Sequence, residues 1–435
     1  MNKFTKKSGG KMFSTIEEVE QFFQERMNEG IKPGLERMEE LLAFANNPEK
    51  KTKFIHVAGT NGKGSTISYI KSGLRAMNLK VGVFSSPSLT GLLGHFTIND
   101  KNIDEHDFIN LLNQIYPKIK EMDEKLDPPT EFEIITTIAF MYFNGRVDVA
   151  IIEVGMGGRM DTTNCITPVI SVITNVSIDH TNFLGSTLEE IAKEKAGIIK
   201  HNCPVIVGET KDKALSKIIE EANDKDAPIV LREKNFTVEN IKVDRQYTTY
   251  ELVIAKEKFT LQIKAKGVYQ VLNSSLAAVA LINLKRLGLP IKLEDSFLAF
   301  RDVEIPGRFE VVSKEPLIIV DGAHNVEGIE QLISTVKEHF PNEEKTLVFS
   351  AFRDKQIKEM LTLLIPHFNN IVLTTFDHPR AATLEQLKNA IPEDIDVYAN
   401  TLLKTIQSVK NEKKKELTIR IGSLNFLKII RNYFN

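Results

Sequence analysis

The sequence of 435 residues contains no tryptophan, only two cysteines and no hydrophobic run long enough to cross a membrane. Cys165 and Cys203 form no C-x-x-C pair, which argues against a disulfide framework and against a structural zinc site. The formal net charge is −2, so no basic field favours nucleic acid as a partner. Residues 1–12 lead into acidic positions rather than an apolar signal peptide, and we expect a frayed tail there. These absences favour a cytoplasmic protein that acts on small molecules.

The sequence does contain many short apolar runs separated by helical stretches. With 42% hydrophobic and 26% charged residues, the chain is long enough for two or three domains. Continuous apolar strands between helices are typical of a parallel, doubly wound sheet that is covered on both faces. After a predicted helix over 31–45, the predicted strands are residues 54–58, 80–84, 148–154, 169–174 and 203–208.

The second half of the sequence changes character twice. Residues 228–266 alternate apolar and polar side chains, which predicts a small antiparallel sheet. A Pro-Gly break near 300–310 indicates an interdomain connection. A second α/β series follows, with predicted strands over 317–321, 345–351, 370–375, 394–399 and 416–422. The sequence therefore predicts a domain over 1–300, a linker over 301–312 and a smaller α/β domain over 313–435.

The first predicted strand is followed by "GTNGKGS", which resembles a phosphate-binding loop but departs from G-x-x-x-x-G-K-[ST] at two positions. Val57 stands where the first glycine is usual, and Gly64 stands where the hydroxyl is usual, so the hydroxyl shifts to Ser65. The glycines let several backbone N–H groups converge at a helix N-terminus, and Lys63 adds a mobile charge. A solvated glycine turn is the alternative. The predicted phosphate-binding residues are Gly59, Thr60, Asn61, Gly62, Lys63, Gly64 and Ser65.

Polar side chains follow three other predicted strands. Glu153, then Asp179 and His180, follow strands of the first series, where ligands bind in open α/β sheets. For Glu153 the alternative is a role in organising the loop. For His180 the alternative is a structural hydrogen bond. Asp321 and His324 follow a strand of the second series, where an Asp-Gly turn is the alternative. Two such sites facing each other across a cleft suit an enzyme that joins two substrates.

The motifs "IHVAGTNGKGST", "SSPS", "PTEFE", "EVGMGGRMDTTN", "EKAGIIK", "IPGRFEVV" and "DGAHN" occur in this order. With these motifs in this order, the chain resembles the folylpolyglutamate synthase and dihydrofolate synthase family, whose members are relatives of the Mur ligases. The resemblance implies a Mur-ligase-like ATP-binding domain and a smaller C-terminal glutamate-ligase domain. It also implies that ATP phosphorylates the γ-carboxylate of a folate and that L-glutamate attacks the acyl phosphate. Dihydropteroate is a second acceptor that the resemblance allows.

The resemblance also implies roles for individual residues. Lys63, Lys195 and His324 would be catalytic, and Lys195 would be carbamylated. The implied ligands for Mg²⁺, at two sites, are Ser86, Glu153, His180 and Lys195. The implied ATP contacts beyond the phosphate loop are Asn273, Arg308 and Asp321. The implied folate-binding residues are Thr130, Glu131, Phe132, Glu133, Met160, Asp161 and Thr162.

Two rival functions stay open at this stage. A Mur-type ligase could join an amino acid to another acceptor, and a non-catalytic P-loop switch could use nucleotide to change shape. A guanine-reading N-K-x-D is absent from the sequence, and a switch leaves the second α/β domain unexplained. We expect a monomer.

Overall fold

A computed structural model describes residues 12–26, 29–30, 32–244, 246–392, 395–407 and 417–434. Apart from Met12, the predicted frayed tail lies outside these residues. None of the helices in the described ranges has the length and apolar character needed to span a membrane. Strands in these ranges form three sheets, of eight, three and six strands.

The eight-stranded sheet holds the phosphate loop near its centre. Its strand order is β4-β3-β2-β5-β1-β6-β7-β8, and the six strands from β2 to β8 in this order are parallel, whereas β3 and β4 are antiparallel. The strands β1 to β8 are Phe54–Ala58, Val81–Phe84, Phe96–Ile98, Lys101–Asn102, Val149–Glu153, Ile170–Ile173, Val205–Val207 and Ile229–Leu231. All five parallel strands predicted for this region are present, and β3, β4 and β8 are additional members.

Helices cover both faces of this sheet. On one face α3 packs against α9, and on the other α1, α2, α4 and α5 surround a separate apolar cluster. The helices α1 to α10 are Ile16–Arg26, Glu36–Phe44, Lys63–Arg75, Glu105–Glu124, Glu131–Phe143, Thr181–Leu184, Leu188–Ala196, Asp212–Asp224, Val268–Arg286 and Leu293–Leu298. Burial on both faces explains why the parallel strands are continuously apolar.

The small antiparallel sheet is confirmed, with one correction. Its strands β9, β10 and β11 are Phe236–Val243, Thr248–Ile254 and Glu257–Ile263. The prediction assigned all of 228–266 to this sheet, but β8 pairs in parallel with β7 in the large sheet. The short apolar run "IVL" suits a strand in a covered parallel sheet better than one with a wet face.

The C-terminal sheet has the order β12-β13-β17-β14-β15-β16, and only β12 is antiparallel to its neighbour. Its strands β12 to β17 are Glu310–Lys314, Leu317–Asp321, Lys345–Phe349, Asn370–Leu373, Tyr398–Ala399 and Leu417–Ile421. Its helices α11 to α15 are Val326–His339, Ile357–Leu364, Leu384–Lys388, Leu402–Gln407 and Leu424–Phe434. Strand β12 begins inside the segment predicted as a linker. Two predicted strands, 394–399 and 416–422, each begin at a residue outside the described ranges.

Candidate functional site

The phosphate loop lies between β1 and α3, and its glycines are required by close contacts. Gly59 has φ +148° and Gly62 has φ +85°, values that side chains disfavour. A Cβ at Gly59 would lie 1.8 Å from Thr174 Oγ1, and one at Gly62 would lie 2.3 Å from Asn273 Oδ1. At Gly64, by contrast, a Cβ would meet no protein atom within 4 Å. Gly64 lines a cavity, so protein packing does not require glycine at this position. The absence of a side chain instead leaves room for a ligand in the cavity.

The loop is held by residues that follow β6. Asn175 Oδ1 accepts from the Asn61 N–H at 2.8 Å, and the Asn175 carbonyl accepts from the Thr60 N–H at 3.0 Å. The Thr60 hydroxyl donates to the Ser177 carbonyl at 3.2 Å and accepts from the Ser177 N–H at 3.0 Å. Because β6 is the neighbour of β1, these bonds hold the loop against the next strand's end.

Lys63 is the first residue of α3 and its ammonium turns back along the loop. Its Nζ donates to the Gly59 carbonyl at 3.0 Å and lies 3.4 Å from the Thr60 carbonyl. Burial lowers the pKa of Lys63, while the charges of Glu153 and Asp179 act in the opposite direction. The lysine lines the cavity, where the charge of a bound phosphate would add to those of the two carboxylates.

One cavity of about 400 Å³ receives the ends of strands from both α/β units. Strands β5, β1 and β6 are adjacent in the large sheet, so their carboxyl ends share one edge. The predicted cleft between two strand-end sites is thus present. The predicted site residues that line it are Gly59, Thr60, Gly62, Lys63, Gly64, Ser65, Ser86, Glu153, His180, Lys195, Arg308 and His324.

Glu153 ends β5 and its carboxylate is buried beside Lys63. Burial raises the pKa of Glu153, and Lys63 and the Ser86 backbone N–H oppose that shift. No three His, Cys, Asp or Glu ligand atoms around this cavity lie within 4.8 Å of one another in the described part of the chain. Glu153 and His180 therefore offer two separate ligands to a metal rather than a preassembled cage.

Asp179 and His180 follow β6, and the pKa of each is lowered by a different cause. Burial alone would raise the pKa of Asp179, but His324 and Lys355 hold that pKa well below its ordinary range. Asp179 forms an ion pair with Lys355 and lies 3.4 Å from His324 Nε2, both on the C-terminal side of the cleft. Burial lowers the pKa of His180 to about 4, so its imidazole is neutral at pH 7 and able to bind a metal.

The three lysines of the "KEKAGIIK" stretch differ in surroundings. Lys193 is exposed, and Lys200 donates to the Asn164 carbonyl at 2.8 Å. Lys195 is 3% exposed and lines the cavity, and its ammonium has no hydrogen-bond or ion-pair partner among the described residues. Burial lowers the pKa of Lys195 to about 7, and the Lys63 charge acts in the same direction.

The remaining predicted ATP contacts lie around the cavity rather than all inside it. Asn273 and Asn61 line a second cavity of about 160 Å³ on the other side of Gly62. Asp321 accepts from the Phe309 and Ala323 N–H groups at 2.7 and 2.8 Å. Burial raises the pKa of Asp321, and the neighbouring Arg308 opposes that shift. Asp321 is therefore tied to the residue after Arg308 at the junction between the two units.

The predicted folate-binding residues are not among those that line the 400 Å³ cavity. Thr130 and Glu133 form a capping box at the start of α5, and Glu133 also accepts from Arg37 Nε at 2.9 Å. Phe132 stacks on Phe84 with ring centroids 5.9 Å apart. Thr130 and Glu133 thus stabilise the start of this helix, and the sequence pattern T-x-x-E is typical of such a capping box.

The other predicted folate-binding residues differ in their burial and in their contacts. Asp161 is buried and accepts from the Met156 and Thr163 N–H groups at 2.8 and 3.0 Å, so it organises the "GMGGRMD" loop. Thr162 shares a hydrogen bond of 2.7 Å with Thr136. Burial raises the pKa of Glu131. Met160 is 49% exposed and so lies at the surface of this loop.

The structure adds residues that the sequence predictions missed. Lys355 follows β14, so the strand-end rule used for Asp321 could also have found it. Glu327 lies in the first turn of the helix that Asn325 caps, and it bonds to residues beyond β6 of the other unit. No local pattern marks such a contact.

Comparison with known proteins identifies the family of this chain. The family model of the Mur ligase middle domain matches residues 57–281, and that of the Mur ligase glutamate ligase domain matches residues 307–423. A dihydrofolate synthase/folylpolyglutamate synthase of Bacillus subtilis is 35% identical over 97% of this chain and 99% of its own length. The chain belongs to the folylpolyglutamate synthase and dihydrofolate synthase family. It is an ATP-dependent ligase of the Mur ligase type, as the motifs predicted.

Solved structures of this family share the whole fold. A Mycobacterium tuberculosis folylpolyglutamate synthase in complex with ADP superimposes with a TM-score of 0.89 at 27% identity, covering 97% of this chain and 98% of that one. A bifunctional folylpolyglutamate synthase/dihydrofolate synthase with manganese, AMPPNP and L-glutamate bound gives a TM-score of 0.83 at 26% identity, covering 96% and 98%. The predicted fold class is confirmed, and nucleotide with a divalent metal fits the cavity's donor set.

Proposed function

We propose that the chain joins L-glutamate to the γ-carboxylate of a folate, using ATP and passing through an acyl phosphate. The observation that carries the proposal is the cavity of about 400 Å³ lined by Lys63, Glu153, His180 and His324, to which both α/β units contribute residues. Residues 1–300 would form the ATP-binding domain, 301–312 the linker and 313–435 the glutamate-ligase domain.

The residues present suit a transferring phosphoryl group. Gly62 ends the loop at a helix N-terminus, where backbone N–H groups favour phosphate, and Gly64 leaves space in front of it. Lys63 would neutralise charge as the γ-phosphoryl group passes to the folate carboxylate. Asn273, Arg308 and Asp321 would contact the rest of the nucleotide.

Ser86, Glu153 and His180 are the side chains that would hold Mg²⁺, at two sites together with Lys195. Bound there, the metal would supply Lewis-acid stabilisation of the phosphoryl oxygens. Glu153 fits this use because it is a buried carboxylate with few protein donors, and His180 fits because its imidazole is neutral.

Lys195 supports the proposal only if it is carbamylated, since an ammonium cannot bind a cation. A buried lysine without a partner, facing the cavity that holds Glu153 and His180, is unusual for a structural residue. The neutral amine would attack CO₂, lose a proton and become a carbamate anion. The carbamate oxygens would then face the same cavity as the other metal ligands.

The glutamate amine would enter from the C-terminal side of the cleft. His324 Nδ1 lies 2.9 Å from the Gly322 carbonyl, which leaves Nε2 directed at Asp179 and the cavity. His324 would orient the incoming glutamate. The folate would approach along the surface that contains Glu131, Phe132 and Met160, with Asp161 and Thr162 shaping the loop beneath.

Dihydropteroate is a second acceptor in this proposal, supported by the bifunctional name of the Bacillus subtilis relative. We further propose that the enzyme acts in the cytoplasm as a monomer, with no nucleic-acid or membrane partner. A non-catalytic switch is disfavoured because the C-terminal unit contributes its own side chains to the cavity.

The test is product analysis with ATP, Mg²⁺ and L-glutamate, offering tetrahydrofolate or dihydropteroate separately. We expect a mass increase of one glutamate together with ADP and phosphate. An ¹⁸O label in the folate γ-carboxylate should pass into the released phosphate. Formation of AMP and pyrophosphate, or of unlabelled phosphate, would contradict the acyl-phosphate path.

A further inference from the structure

Glu327 lies in the first turn of α11 and reaches across the cleft to the ATP-binding side. Its Oε1 accepts from Asn175 Nδ2 at 3.0 Å, and its Oε2 accepts from the Ser177 hydroxyl and from Lys211 Nζ, the latter at 3.2 Å. Gln331 on the same helix lies 3.4 Å from Oε1. One carboxylate thus receives three donors from the other unit.

Two of these donors are the residues that hold the phosphate loop. Asn175 accepts from the Asn61 N–H through its side-chain oxygen, and Ser177 exchanges two hydrogen bonds with Thr60. A primary amide presents its oxygen and its nitrogen in opposite directions. Because Glu327 takes the Asn175 nitrogen, the oxygen must face Asn61.

We propose that Glu327 is a positioning residue that couples docking of the glutamate-ligase domain to the shape of the phosphate loop. When the domain is docked, Glu327 fixes the Asn175 amide and through it the Asn61 N–H. When the domain is undocked, that amide is free to rotate, and the loop loses this restraint. The inference rests on the proposed ligase reaction, because it makes the phosphate site complete only when the domain carrying His324 is in place.

The inference predicts a local effect that can be measured without any substrate. In Glu327→Ala, amide hydrogen exchange in peptides covering residues 59–66 should be about tenfold faster than in the wild type, because loss of one charge-assisted hydrogen bond is sufficient for that factor. Glu327→Gln should stay close to the wild type, since the glutamine oxygen still accepts from Asn175. Glu330→Ala is the matched control, because Glu330 is an exposed residue of the same helix.

Turnover gives the second readout. Glu327→Ala should lower kcat about tenfold, Glu327→Gln should recover most of it, and adding Asn175→Ala to Glu327→Ala should cost little more. Unchanged exchange at residues 59–66 in Glu327→Ala, exchange that is faster throughout the chain, or fully additive effects on kcat would overturn the inference. If the wild type made no glutamylated folate, the proposed function would fail, whereas the exchange result would still decide whether Glu327 controls the loop.

Discussion

The side-chain amides of Asn61 and Asn325 face each other across the cleft and exchange two hydrogen bonds, of 3.0 and 3.2 Å. Asn61 belongs to the phosphate loop, whereas Asn325 is the N-cap of α11 and accepts from the Gly328 N–H at 2.9 Å. One asparagine therefore serves both as a helix cap and as a contact to the other unit. The two uses can be separated, because the cap needs one oxygen close to the backbone, whereas the amide pair needs a longer side chain with an acceptor and a donor on separate atoms.

Asn325→Ser is expected to keep the helix and impair the enzyme. Serine caps about as well as asparagine, whereas alanine would cost about 1 kcal/mol of stability. We therefore expect a melting temperature near that of the wild type and a turnover at least several-fold lower, measured by product formation. Wild-type turnover in Asn325→Ser would show that the amide pair has no functional role.

Lys63→Ala is expected to abolish ligation while the fold persists. Loss of this charge should cost about 3–5 kcal/mol in the transition state, or roughly a hundred- to several-thousand-fold in rate. Circular dichroism and thermal unfolding should stay close to those of the wild type, because the loop is shaped by Gly59, Gly62 and Asn175. Near-normal turnover would contradict the phosphate role.

Gly64→Ala and Gly62→Ala are expected to act in opposite directions on stability. Position 64 lies in α3 with open space around it, so alanine should stabilise the helix by about 1 kcal/mol. Its methyl group would nevertheless enter the cavity and weaken ATP binding, as titration calorimetry can measure. Gly62→Ala should lower stability, because the new Cβ meets Asn273 at a positive φ. Unchanged ATP affinity in Gly64→Ala would argue against phosphate at this position.

Lys195→Ala should lose most activity, whereas Lys193→Ala should be nearly silent. Lys195 is buried against the cavity and Lys193 is exposed, although the two are only two residues apart in the sequence. Added formate or acetate should restore part of the activity of Lys195→Ala by supplying oxygen ligands. Equal behaviour of the two alanine variants would make the carbamate role wrong.

Carbamylation should also depend on pH. Burial places the pKa of Lys195 at about 7, so the fraction of neutral amine rises with pH and approaches one above that value. For enzyme stripped of CO₂ and returned to a constant concentration of dissolved CO₂, recovery of activity should speed up about tenfold per pH unit below 7 and level off above it. A recovery rate that keeps rising up to pH 10 would mean that the reacting amine has an ordinary lysine pKa.

The central parallel strands were predictable because strands such as β1, β2, β5 and β13 are buried along nearly their whole length and are therefore mostly apolar. The phosphate loop was predictable because its glycines follow one of these strands and precede a helix, and β1 and β13 match their predicted limits. The antiparallel edge strands β3 and β4, of three and two residues, were missed because they are too short to show a period.

Sequence pattern thus specified what depends on neighbours along the chain: the elements, the loop and the order of the motifs. The local composition does not distinguish the three nearby lysines, and only the family resemblance singled out Lys195, because burial is set by packing against other elements. Folding also brought Lys355 to Asp179 and Glu327 to Asn175, residues 176 and 152 positions apart. Such contacts depend on how two sheets are placed relative to each other, and no local spacing of residues encodes that placement.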